Sequence, residues 1–359
     1  MKTIPLLLLA AVFPATAEIA SVAHPEEKLP VAKTVVWTPL FQASWDKLNA
    51  THSGNPVKVE PSNSLISRLD SFTWDAEPVM PDGRWKTWAG TASEEFLTKV
   101  NAEAARMTGE AAGPFRLVNP GAGSLAVFGL LDRDVSFRKE FYRSRKVPLN
   151  FKAGDTQTKV KFFGVKGEKS GEFADTVRVL SYRPSEKSHA LQMLCKESND
   201  TVILFRPPAG AELDFATASK WLRTWREAWD KSSGKSRAQD DPWLHERDEI
   251  RVPYVKLVSM HDFSADLASP RHYKGQPLPR IIKRAEQMVK FELHERGARV
   301  RAEVSMSDDP FGGPIDKPLL FPRLFSYDAP FFVFLWRDGA EWPYFGTWVG
   351  DATALQDFR

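Results

Sequence analysis

The chain has 359 residues, 42% of them apolar, which is enough for a large core and excludes disorder as a whole. Lysine and arginine number 49 against 46 aspartate and glutamate, and the resulting net charge of +3 is too small to point to nucleic acid as the main partner. A single cysteine, Cys195, excludes any intrachain disulfide, so stability must come from packing.

Residues 1–17 read as a secretory signal. Lys2 supplies the positive start, residues 5–13 an apolar run too short to span a bilayer, and Ala15-Thr16-Ala17 an A-x-A cleavage site. The mature chain is expected to start at Glu18, to be secreted to an extracellular or periplasmic space, and to carry no membrane anchor. Residues 18–32 mix proline and charge without a period and are expected to form a loose leader. One domain spanning 18–359 is expected to contain them.

Residues 35–48 begin apolar and become helical, with Leu40, Ala43, Ser44 and Leu48 on one face. Signals are weak from 51 to 88. The spacing then predicts a helix over 91–108, with Thr91 and Glu94 at capping-box distance and Phe96, Leu97, Val100, Ala104 and Met107 in one stripe. Strands are expected at 124–131, 158–165, 176–182, 191–196 and 202–205, the last two joined by a turn at 197–201. Between the first two of these lie Arg133, Arg138, Lys139, Arg143, Arg145 and Lys146, interleaved with Asp132, Asp134 and Glu140, which reads as a solvated face.

A helix follows in which Trp221, Leu222, Trp225, Ala228 and Trp229 share a face suited to core packing. A polar loop over 231–241, a strand over 250–258 and a short helix over 278–286 come next. The chain closes with strands at 331–337 and 344–350. Strands broken by isolated helices, without a regular rhythm or internal repeat, indicate an α+β fold.

No phosphate loop, dinucleotide fingerprint, zinc-protease helix or nucleophile elbow is present, and seven scattered histidines with one cysteine offer little to a metal. An unmarked carboxylate pair remains the one route to acid-base chemistry. The chain is read as not an enzyme, with no cofactor and no metal.

The most informative stretch is 289–306. Val289, Phe291 and Leu293 alternate with Lys290, Glu292 and His294, after which Glu295-Arg296-Gly297 moves the frame by one. Ala298, Val300, Ala302, Val304 and Met306 then form the apolar set. Side chains alternate strictly across a sheet, so both segments suit sheets with one buried face if the chain turns at Gly297. A plain hairpin that inserts nowhere fits the same pattern.

From the phase slip outward, the chain resembles the serpins, a family of serine protease inhibitors, over 124–350. Residues 285–297, ending Glu292-Leu293-His294-Glu295-Arg296-Gly297, resemble the family's central-sheet strand and hinge. Residues 328–337 and 344–350 resemble its C-terminal hairpin, 190–207 its paired core strands, and 124–141, with Phe137 and Phe141, its strand and turn. Shorter likenesses lie at 250–256 and 36–40.

The resemblance implies an α+β serpin-like fold with a large central mixed β-sheet, two further sheets and several helices. It implies a monomer that offers residues 298–322 as a reactive-centre loop to a serine protease, with no nucleic-acid or membrane partner. Cleavage would let the loop enter the central sheet and trap the protease as a suicide complex. Glu295, Gly297, Ala298, Val300, Ala302 and Val304 would form the hinge, and Thr38 and Gln287 the region where the sheet opens. Counting from Gly297 places the cleaved bond at Phe311-Gly312, which suits a chymotrypsin-like protease. Three departures stand beside this. Arg299, Val300 and Arg301 replace small hinge residues; Phe41, Gly129 and Gln287 stand where the family has Ser, Asn and His; and the span from Gly297 to Pro330 is longer than the family's by about eight residues. The alternative is a non-inhibitory serpin-fold binding or carrier protein.

Overall fold

The computed structural model describes residues 19–30, 32–116, 124–197, 199–232, 242–300 and 322–358. Its largest sheet has seven strands in the order Ala20–Ser21, Val35–Trp37, Phe345–Val349, Phe331–Arg337, Asp200–Arg206, Ser188–Leu194 and Val177–Arg183. The first pair is parallel and the others antiparallel, so the sheet is mixed. Its inner strands are continuous apolar runs, such as Val202-Ile203-Leu204-Phe205 and Phe331 to Trp336, because both of their faces are buried. Helix Phe215–Ser232 lies against this sheet through buried Phe215, Ala218 and Leu222, and the Trp225 ring meets Phe205 edge-on at 5.4 Å.

A second, four-stranded sheet runs Leu324–Ser326, Glu249–Pro253, Phe162–Val165, Tyr142–Arg143. A third runs Val255–Asp262, Glu286–His294, Gly297–Val300, Arg133–Ser136. Beside it, Trp85–Thr91 pairs with Leu125–Leu131. Only Asp132 separates Leu125–Leu131 from Arg133–Ser136, and its N–H donates to Arg84 O at 2.8 Å, so the third sheet continues into this pair.

Three local expectations need correction. The stretch expected as a loose leader is tied down: Ala20–Ser21 adds a parallel strand to the large sheet, and Ile19, Ala23, His24 and Leu29 are buried. The helix expected over 91–108 runs Glu94–Thr108 and is capped by Ser93, whose Oγ accepts from Phe96 N, while Thr91 ends a strand. No helix forms over 278–286. Pro279 disfavours helical backbone at Leu278, Arg280 exchanges backbone hydrogen bonds with Arg271, and Glu286 opens a strand. The weakly patterned 51–88 contains the helices Ser64–Ser71 and Ala76–Val79, capped by Asn63 and Asp75.

Candidate functional site

Strand Glu286–His294 sends Gln287, Val289, Phe291 and Leu293 inward and pairs along its length with Val255–Asp262. At its end the chain reverses through Glu295 and Arg296, and Gly297–Val300 returns antiparallel, with His294 opposite Gly297 and Leu293 opposite Ala298. The returning segment is no free hairpin. It lies between Glu286–His294 and Arg133–Ser136, with Gly297 opposite Ser136 and Val300 opposite Arg133. Ala298 is fully buried.

Gly297 is required here by close approach. A Cβ at this position would lie within contact distance of the Val135 carbonyl oxygen and 2.9 Å from Ser136 Cα. The turn itself is held by backbone bonds, since Phe137 N donates to Arg296 O at 2.8 Å and Phe141 N to Glu295 O at 2.9 Å.

Glu295 is 3% exposed, and its carboxylate is paired with the Arg143 guanidinium and lies 3.9 Å from Arg296 Nε. Burial by itself would raise its pKa, but the Tyr254 hydroxyl and Arg143 together hold it below the usual range. The neighbouring His294 is kept neutral chiefly by burial, and its Nδ1 accepts from Arg296 N at 3.2 Å.

Past the hinge, Leu125–Leu131 bonds to Trp85–Thr91 on one edge, and Glu286–His294 bonds to Val255–Asp262 on its outer edge. Among the described residues, no ladder joins Leu125–Leu131 to the facing stretch of Glu286–His294. Helix Leu40–Thr51 passes beneath, close enough at Gly129 that a Cβ there would meet Ser44 Oγ at 2.5 Å. The expected large central sheet is present, but the hinge joins the smaller third sheet. The large sheet has no free slot in the middle, because its strands are laddered to one another from edge to edge.

Of the expected opening residues, Thr38 is buried and donates from Oγ1 to Tyr344 O at 3.0 Å, capping the start of helix Leu40–Thr51 with its oxygen toward Leu40 N. Gln287 is also buried, yet neither its amide oxygen nor its nitrogen has a partner. Thr38 and Gln287 are not joined by any hydrogen bond. Ala302, Val304, Phe311 and Gly312 lie outside the described residues, as do residues 1–17.

Three residue pairs escaped the sequence reading. The basic run expected as a solvated face contains Arg133 and Arg143, which pair with the buried acids Asp200 and Glu295. Period two over Arg133-x-Val135-x-Phe137 carried the signal, since it places Arg133 in the inward frame. Downstream of the loop, Arg323 is clamped to buried Asp248, with Nη2 at 2.6 Å and Nε at 3.1 Å from Oδ2 and the backbone N–H at 2.9 Å from Oδ1. Nothing local in the sequence marks that pair.

Among the described residues no cluster of His, Cys, Asp and Glu could hold a metal ion, and no helix is long and apolar enough to cross a membrane. No family model and no curated protein matches the chain. Among solved structures, thyroxine-binding globulin in complex with thyroxine aligns with a TM-score of 0.51 at 11% identity, covering 89% of this chain and 93% of that one. A human thyroxine-binding globulin complex gives 0.50 at 12% identity, covering 89% and 92%. Human glycosylated kallistatin gives 0.50 at 13% identity, covering 89% and 92%. At such identities the likeness carries the fold alone: the chain has the serpin fold.

Proposed function

We propose that the protein is a secreted serine protease inhibitor that works as a suicide substrate, cut at Phe311-Gly312 by a chymotrypsin-like protease and taking up its own loop beside Glu286–His294. The observation that carries this reading is the position of Gly297 and Ala298, seated between Glu286–His294 and Arg133–Ser136 at the head of two facing edges that are not laddered to each other. Continuing the same register would set Ala302 between Val289 and Leu131, and Val304 between Gln287 and Gly129. Each apolar position of the arm then faces inward. Burying these side chains contributes about 0.8 kcal/mol per CH₂, and each new ladder bond about 1 kcal/mol.

The register also accommodates Arg299, a departure from the family pattern. It stands opposite Glu292 on one side and Asp134 on the other, and Glu292 is itself opposite Lys256. By register alone, the row alternates in sign across four strands, the order that cross-strand pairing favours.

A ligand-carrying or binding protein is the second reading. A solved neighbour of the same fold is a complex with thyroxine, and Val300 and the arginines of the hinge would slow uptake. Incubation of the mature chain with chymotrypsin-like and elastase-like proteases separates the two. The inhibitor gives a covalent complex that survives denaturant; cleaved product alone, with a sharply raised melting temperature, leaves a serpin fold without inhibition.

A further inference from the structure

Beside the Glu295 turn lies a cleft of about 500 Å³, lined on one side by His294, Glu295 and Arg296 and otherwise by residues outside the hinge. Its cations are Arg143, Arg145, Lys161 and Arg296, and its one carboxylate is Glu295, an excess of three positive charges. Arg143 and Arg296 are both turned to Glu295. Arg145 and Lys161 have no acidic partner among the described residues. His294 adds no charge near neutral pH, because burial lowers its pKa.

The walls are fixed by backbone bonds. Tyr254 N donates to Lys161 O at 3.1 Å, Lys161 N to Gln356 O at 2.8 Å, and Gln356 N to Tyr254 O at 3.2 Å, while Ser144 N donates to Phe162 O at 3.0 Å. The C-terminal stretch thus forms a standing wall, and Phe358 and Tyr254 line the same space as the cations. Like charges held together in a concave surface raise the local potential and favour an anion. An arginine supplies a fork of donors that fits a phosphate or sulfate group. A volume of this order suits a small molecule and not a chain segment.

We propose that this cleft binds a small oxyanion ester, a phosphate or sulfate monoester whose head lies between Arg145 and Lys161 and whose apolar body lies against Tyr254 and Phe358. The site is independent of the inhibitor reading, since it uses residues fixed before any loop uptake.

The test is calorimetric titration of the full mature chain with phenyl phosphate, phenyl sulfate and phenol at constant ionic strength. At least one ester should bind saturably at a single site with a dissociation constant below about 1 mM, and the preferred ester identifies the head group. Arg145→Ala combined with Lys161→Ala should weaken that binding at least about tenfold, in line with the loss of charge-assisted bonds. Lys152→Ala, on the neighbouring hairpin and outside the cleft, should leave it unchanged. Absence of saturable binding by both esters, an unchanged affinity in the double variant, or phenol binding as tightly as the esters would each overturn the proposal. A melting curve checks the fold of the double variant; should it unfold, Arg145→Gln alone keeps the test in force, with a severalfold loss expected.

Discussion

Arg133, on the strand that flanks the hinge, forms an ion pair with Asp200 of the large sheet, and Asp200 is 3% exposed. The pair ties the two layers together directly beneath the register position of Val300. The buried Tyr344 hydroxyl lies beside the pair, its pKa raised by burial and then by the Asp200 carboxylate.

Removing one member of a buried pair strands the other. Arg133→Met should therefore destabilise the chain by about 2–4 kcal/mol, read from urea unfolding. Arg133→Met combined with Asp200→Leu should recover much of the loss. Equal destabilisation by the single and double variants would show that the bridge contributes only packing.

Gly297→Ala tests the close approach at the hinge. Because the added methyl meets the Val135 carbonyl, a stability loss of roughly 1–3 kcal/mol is expected. Hydrogen exchange at Ala298 and Val300 should rise in the same variant, and unchanged protection there would mean that the pivot tolerates a side chain.

Gln287→Met should stabilise the fold by about 1 kcal/mol, since it replaces a buried amide whose two polar atoms lack partners. Thermal unfolding measures this directly. A loss of similar size would mean that the amide is satisfied in solution.

The loop register gives a paired prediction. After proteolytic nicking, Val304→Asp should abolish most of the rise in melting temperature, because it would bury a charge beside Gln287. Arg301→Ala, one position from the inward row, should preserve the rise. Equal behaviour of the two variants would dismiss the proposed register.

Acid should weaken the fold through histidine. His189 has its pKa lowered to about 3 by burial and then by Arg206, and His24 to about 4 by burial and then by Arg68. Both lie below the unfolded value of 6.5, so the unfolded chain takes up protons first. The stability tied to these groups is fully present above about pH 6.5 and is lost progressively as pH falls toward 4 and then 3. In His189→Phe, unfolding free energy measured between pH 7 and 4 should fall less steeply than in the parent, because the unfolded chain then takes up one proton fewer.

The turn at Gly297 was legible through period two, with Phe291 and Leu293 inward and then Ala298 inward after the slip, and the C-terminal hairpin through a continuous apolar run that is buried on both faces. The sequence carried the wide helix Phe215–Ser232 through its tryptophan face. What it could not carry was partnership between distant residues. Arg143 meets Glu295, and Asp248 meets Arg323, only because strands far apart in the chain end side by side. The N-terminal stretch misled for a related reason. Ala20–Ser21 has no periodicity of its own and is ordered by the edge of Val35–Trp37, which tertiary structure supplies.

The clamp of Arg323 on Asp248 has a practical outcome for anyone handling the protein. Beyond it the chain is woven into two layers, with Phe331–Arg337 and Phe345–Val349 at interior positions of the largest. A molecule nicked within 301–321 therefore keeps its tail, travels through a sizing column as though intact, and betrays the break only once it is unfolded.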